Sequence, residues 1–225
     1  MSHLHIPDGV LPPWLWASGL ALALVLLWRS TRGVTPRQVA YQGALGGLML
    51  ASMAIPLGAL DYHLTLTGPM GVLLGAAGAF QVGFTVNAIL ALMGHGGLTV
   101  VGLNALVSGL GAAVAALVYR AVGARLRAEW AMASATAAGQ AMAGLLWLAI
   151  VALGLRVALP GTTVLEHAPA AGSVGVARFA LLALPLWLLG VVAESAVAWG
   201  LGRFLARVHP GLMPFGAGPV RAETP

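Results

Sequence analysis

Apolar residues fall in long blocks separated by brief polar punctuation. The blocks run from Pro12 to Trp28, Val39 to Ala59, Leu64 to Met93, Leu98 to Val122, Ala131 to Ala158 and Val176 to Ala206. Most approach or exceed the ~20 residues a helix needs to cross a bilayer. The pattern predicts an all-α integral membrane protein built as a polytopic helical bundle. Pro12 and Pro13 suit a first helical turn, and Trp14, Trp16 and Trp28 suit anchors at the membrane interface.

Arginines count the crossings. Arg29, Arg32 and Arg37 follow the first block, Arg120, Arg125 and Arg127 lie in the middle, and Arg203 and Arg207 come near the end. Basic clusters beside membrane helices favour the cytoplasm, yet single passes through every block would put the middle cluster outside. Parity therefore asks for one more crossing. The block from Leu64 to Gly97 is the place for it, because Gly75, Gly78, Gln81, Gly83 and Asn87 interrupt its apolar run. Two passes there must be short or irregular, and irregular backbone in a membrane lines protein or a cavity. The prediction is seven crossings, with the N-terminus outside and the C-terminus inside.

Composition narrows the class. The 225 residues are 60% hydrophobic and 8% charged, with a mean hydropathy of +0.93. Such a chain has no room for a separate soluble domain. It divides into a tail over 1–11, a transmembrane domain over 12–207 and a polar tail over 208–225. No Walker loop is present, and Gly94-His95-Gly96-Gly97 only imitates a glycine-rich one. The net charge of +5 and pI near 11.1 mark membrane topology rather than nucleic-acid binding. No cleavable signal is expected, since the first basic residue, Arg29, follows the first apolar block. With no cysteine, any metal must be held by nitrogen and oxygen.

The histidines supply the chemistry. Met1-Ser2-His3-Leu4-His5-Ile6-Pro7-Asp8-Gly9 places two imidazoles beside an α-amine. Read from Met1, the amine, two deprotonated amides and His3 form a square-planar nitrogen set suited to Ni(II) or Cu(II). Removal of Met1 would hand the amine to Ser2 and leave a smaller chelate. Pro7 has no N–H to deprotonate, so the chelating segment ends near His5 and turns back. Under the seven-pass topology His3, His5, His63, His95 and His167 share the extracytoplasmic face, as do Asp8, Asp61 and Glu166. His209, among arginines near the C-terminus, is incidental.

At these positions the chain resembles a family. His5-Ile6-Pro7-Asp8-Gly9 with Leu11-Pro12-Pro13 is similar to the N-terminal signature of the cobalt/nickel-specific substrate-binding membrane subunit of energy-coupling factor transporters. Leu92-Met93-Gly94-His95-Gly96-Gly97-Leu98-Thr99 with Gly102-Leu103-Asn104-Ala105 resembles a second motif, and the loop of His63 and Gly68 and Ala193-Glu194-Ser195 are further points of similarity. The resemblance implies a seven-helix subunit of a prokaryotic cell membrane whose tail inserts into the bundle and chelates Ni(II) or Co(II) as transported substrate. It implies ligation by the terminal amine, by the backbone nitrogen and ring of an adjacent histidine, matched here by His5, and by a later histidine, matched by His63. Met1-Ser2-His3-Leu4 precedes the matching position, so the amine comes from Met1 or Ser2 by looping, and His3 stands as an alternative or additional ring. The implied partners are a mobile membrane scaffold subunit and two cytoplasmic ATPases, to which a small accessory membrane subunit can be added. No tightly bound organic cofactor is implied, and the chain is a transport subunit rather than an enzyme.

Other polar residues divide between service to the site and structure. His95, between glycines, suits a donor orienting His63 or the tail, or simply a turn. Asn104, one to two turns into an apolar helix, is expected to bond the tail or the Gly94–Gly97 loop. Asp8 and Asp61 either draw cations and pair with outer donors or are solvated turn residues. His167 is a candidate lid element. Glu194, the acid deepest in an apolar run, is expected to face inward and anchor a loop or a partner subunit. Ala40, Gly43, Ala44, Gly47 and Ala51 put small residues at helical spacing, for internal packing or docking. Two rival classes predict other patterns. A haem-binding electron-transfer protein would carry paired histidines within helices, and a membrane metalloenzyme would carry a His-Glu-x-x-His helix. Nickel and cobalt both stand open, a strictly square-planar site favouring the former and an extra ligand such as His3 the latter.

Overall fold

The computed structural model describes residues 5–55, 62–157 and 176–214. Each apolar block becomes one helix: α1 Pro13–Ser30, α2 Pro36–Ala54, α3 Thr67–Leu92, α4 Val101–Val122, α5 Ala128–Val157 and α6 Val176–Val208. A 3-10 turn, Pro210–Leu212, follows α6. α1, α3, α4, α5 through Gly154, and α6 from Leu184 are long and apolar enough to cross a membrane. α2, with Arg37, Gln38 and Gln42 at its start, is more polar.

Local chemistry sets the helix ends. α2 begins ahead of its apolar block because Thr35 and Gln38 form a capping box with Pro36 in the first turn. It stops at Ala54 because Ile55 precedes Pro56 and takes an extended conformation. α5 likewise starts before Ala131, with Glu129 in its first turn paired to Arg127 at 2.7 Å.

α3 is not straight. Gly75 sits at φ 71°, ψ 171°, a conformation essentially confined to glycine. A continuous 26-residue helix would be about 39 Å long, yet the rings of His63 and His95, just before and just after it, have centroids 5.1 Å apart. The two halves of α3 therefore run back against each other, and both lie on α4. A Cβ on Gly71, in the first half, would collide with the Ala112 carbonyl oxygen, while Phe80, in the second half, fills the space beside Gly109. That close approach is what small residues permit where helices pack inside a membrane.

Neighbour contacts fix the polarity of the bundle. α1 runs parallel to α4, since Gly19 meets Leu103 and Ala23 packs with Ala105. α5 runs antiparallel to both α4 and α6, with Gly139 against Gly111, Gly144 against Trp187 and Gly202 against Met132. Ser30 accepts a hydrogen bond from Gln81, near the Gly75 reversal. All three arginine clusters thus gather at one end, with the tail, the 62–66 segment and the 93–100 loop at the other. On α2, Gly46 packs against Val82, whereas a Cβ on Gly43 or Gly47 would meet nothing within 4 Å among the described residues. The small-residue stripe at those two positions faces outward and does not serve internal packing.

Candidate metal-binding mouth

The tail is held inside the histidine end of the bundle. Ile6 is 1% exposed and packs with Leu11, Leu15, Val100, Leu103, Val107 and Ile150, a burial that contributes about 2–3 kcal/mol. Asn104, itself buried, reads the Ile6 backbone in both directions. Its Oδ1 accepts the Ile6 N–H at 2.9 Å and its Nδ2 donates to the Ile6 carbonyl at 3.2 Å. Two residues on, Asp8 accepts the N–H groups of Leu98 and Thr99, each at 2.9 Å, and the Thr99 hydroxyl. The Thr99 hydroxyl first, and the backbone donors with it, hold the exposed Asp8 carboxyl below its usual range. Asp8 therefore ties the tail to the approach to α4 and does not point at the histidines.

Gly97 makes this seating possible. A Cβ there would lie 2.5 Å from the Asp8 backbone nitrogen. Gly94 and Gly96 take φ of 82° and 83°, which turns the 93–97 loop over the tail, with His95 exposed on it.

His5 is set by a second amide. Asn87 uses its Nδ2 to donate to the Gly83 carbonyl at 2.7 Å and to Ser108 Oγ at 3.3 Å, so its Oδ1 is the acceptor for His5 Nε2 at 3.0 Å. The proton of the neutral ring is thereby assigned to Nε2, and the lone pair to Nδ1. Desolvation, chiefly, lowers the pKa of His5 to about 4; the Asn87 bond opposes this, and the positive forms of His95 and His63 add to it. At neutral pH His5 is an uncharged imidazole, the form that binds a metal ion.

His63 arrives from the other side, on the segment entering α3. It is 3% exposed, and its ring meets that of His95 edge-on at an interplanar angle of 70°. The segment is fastened to α6. Glu194, buried at 1% exposure, accepts the N–H of Thr65 and, at 3.2 Å, that of Leu66. Gln140 Nε2 donates to Thr65 Oγ1 at 2.8 Å, the Ser52 hydroxyl to the Leu64 carbonyl at 3.0 Å, and the Tyr62 hydroxyl to the Gly190 carbonyl at 3.2 Å.

Of the candidates read from the sequence, the structure brings together His5, His63 and His95, with Asn104 and Asp8 holding the tail and Glu194 holding the His63 segment. Met1, Ser2, His3, Asp61 and His167 lie outside the described residues. Among the described residues no three histidine or carboxylate side chains converge tightly enough to hold an ion alone. Asn87, Gln140, Thr65 and Tyr62 were not singled out for these positions by sequence reasoning. Asn87 carried the same signal as Asn104, an amide within an apolar run. A lateral groove of about 800 Å³, lined by residues such as Leu22, Arg29, Phe80 and Leu110, contains no histidine and is separate from this mouth.

Membrane-crossing helices that close around a histidine-lined mouth define a multi-pass membrane protein whose imidazoles suit borderline divalent ions. The match to known families is more specific. Residues 5–212 match the family described as the cobalt uptake substrate-specific transmembrane region, and the chain belongs to that family of membrane transport components. The fold is shared with two solved structures. One, described as a transition metal transporter, has a TM-score of 0.76 at 18% identity over 91% of this chain and 93% of that chain. The other, a truncated transition metal transporter, has a TM-score of 0.74 at 17% identity over 89% of this chain and 97% of that chain. No curated protein matches the chain significantly.

Proposed function

We propose that this chain is the substrate-capture subunit of an energy-coupling factor importer. In this reading it takes Ni(II) or Co(II) from the extracytoplasmic side of a prokaryotic cell membrane. The bundle crosses seven times, the two halves of α3 counting as separate passes, with the histidine mouth outside and the arginine end inside. His5 Nδ1 and His63 supply imidazole nitrogen, and residues ahead of His5 complete the set from the amine of Met1 or Ser2, backbone nitrogen and His3. His95 orients the His63 ring. A membrane scaffold subunit and two cytoplasmic ATPases drive release inward, and the outward small residues Gly43 and Gly47 of α2 offer a surface for close helix contact.

The observation that carries this reading is the seating of the tail, with Asn87 orienting His5 and Asn104 holding Ile6 beside the mouth that His63 enters. The uncharged, desolvated His5 imidazole brings no proton to displace, and imidazole nitrogen favours borderline ions over Mg(II) or Ca(II). The test is calorimetric titration of purified protein, its N-terminus verified by intact mass, with Ni(II) and Co(II). A short N-terminal extension and His5→Ala are run beside it. One-to-one binding weakened at least 100-fold by His5→Ala and by the extension is the expected result. Binding unchanged by both would remove the tail from the site.

A further inference from the structure

The Glu194 carboxylate faces no cation among the described residues, and Arg127–Glu129 is the ion pair found there. A buried carboxylate in a membrane helix is costly unless its oxygens are occupied. Here they take the backbone N–H groups of Thr65 and Leu66, two and three residues after His63. The segment they hold is strained. Leu66, non-glycine, has φ 52°, a left-handed conformation that persists only where surrounding contacts over-determine it.

The same face of α6 makes three such contacts. Trp187 donates to the Gln140 carbonyl, Gly190 accepts from Tyr62, and Glu194 accepts from Thr65 and Leu66. These positions follow the i, i+3, i+7 spacing of one helix face, and all four bonds lead to the His63 segment or to Gln140, which also bonds it. The opposite face, with Leu184, Leu188 and Val192, is exposed.

We propose that Glu194 is a positioning residue for His63, so that α6 sets the reach of that imidazole into the mouth. This rests on His63 being a ligand in the reading above. Glu194 touches no ion. It fixes the backbone two and three residues beyond the ligand, and a displacement of α6 withdraws His63 while leaving His5 on Asn87 and the tail on Asn104. The mouth then loses one ligand at a time, the loop ring being governed by α6 and the tail by α4 and the second half of α3.

The test is Ni(II) titration of the full chain in nanodiscs, read by calorimetry and by the ligand-field absorption of the bound ion. Glu194→Gln, His63→Ala and the double variant are compared with the parent. Glu194→Gln is expected to weaken Ni(II) about 10–100-fold and to move the absorption toward that of His63→Ala. The double variant should then bind no more weakly than His63→Ala alone. A parent-like spectrum and affinity for Glu194→Gln, or losses that simply add in the double variant, would overturn the proposal. If His63→Ala itself behaves as the parent, the ligand reading of His63 fails and the proposal falls with it, an outcome distinct from the other two. Should Glu194→Gln not fold, Tyr62→Phe removes a milder fastening of the same segment. It is expected to shift the same band with a loss of about fivefold, and no shift would count against the proposal equally.

Discussion

Two irregular segments enter the bundle from the same end, and they are held by different chemistry. The tail over 5–10 is fastened by neutral amides and by an exposed carboxylate at the rim, Asn104 and Asn87 inside and Asp8 outside. The His63 segment is fastened by a fully buried carboxylate, Glu194, with Gln140, Ser52 and Tyr62 around it. A neutral amide can leave its partner for water at little cost, because both ends rehydrate. A buried carboxyl stripped of its donors has no water to replace them and leaves polar oxygens unsatisfied in an apolar interior. The tail is therefore the part of the mouth that can leave by itself, whereas the His63 segment moves only with the helix α6 that holds it. An opening that removes the tail can leave the transmembrane packing undisturbed.

Three changes sharpen or break that contrast. The largest effect is expected of Gly97→Ala, whose Cβ would collide with the Asp8 backbone. It should abolish Ni(II) and Co(II) binding in titration while leaving thermal unfolding in detergent within a few degrees of the parent. An equal collapse of stability would mean that the tail is part of the core rather than a plug. Next is Asn104→Ala, which strands both polar groups of Ile6. Leaving buried backbone groups unsatisfied costs about 2–3 kcal/mol here, roughly 100-fold in metal affinity, and hydrogen exchange should rise at residues 5–9 but not at 62–66.

Within the first pH unit below 6.5, protonation gives the smallest of the three effects. His5 has a folded pKa of about 4 against ~6.5 when solvated, so below 6.5 the released tail binds a proton that the docked tail refuses. Docking free energy is complete above pH 6.5 and falls progressively as pH drops toward 4. Hydrogen exchange of the metal-free protein across that window should show residues 5–9 opening while the His63 segment stays protected. Simultaneous opening of both would erase the distinction between them.

The helices were legible in the sequence because apolar length is a strong signal and membrane crossing demands it. Their ends were less so, since a capping box at Thr35 or a proline after Ile55 acts through one or two residues that a hydropathy window averages away. The reversal in α3 was half legible. The arginine parity and the glycines demanded an extra turn within 64–97, but only the φ of Gly75 and the meeting of His63 with His95 locate it. At the mouth, polar residues inside apolar runs announced themselves, Asn104 and Glu194 most clearly, because an unpartnered amide or acid is expensive there. Their partners did not, because Ile6 and Asn104 are separated by 98 residues and Thr65 and Glu194 by 129. Tyr62 and Gln140 are unremarkable as residue types. Their roles exist only once α5 and α6 are packed.

The two fastenings of the tail also act as a ruler. Ile6 is gripped by Asn104 and Asp8 by the start of α4, and an extended chain advances only ~3.3–3.6 Å per residue. One residue inserted or deleted between His5 and Asp8 would carry the imidazole past Asn87 or leave it short. Residues added ahead of His5 leave that register untouched. A change of length within Met1-Ser2-His3-Leu4 therefore leaves the His5 ring in place and shifts only the terminal amine that the proposed site would use.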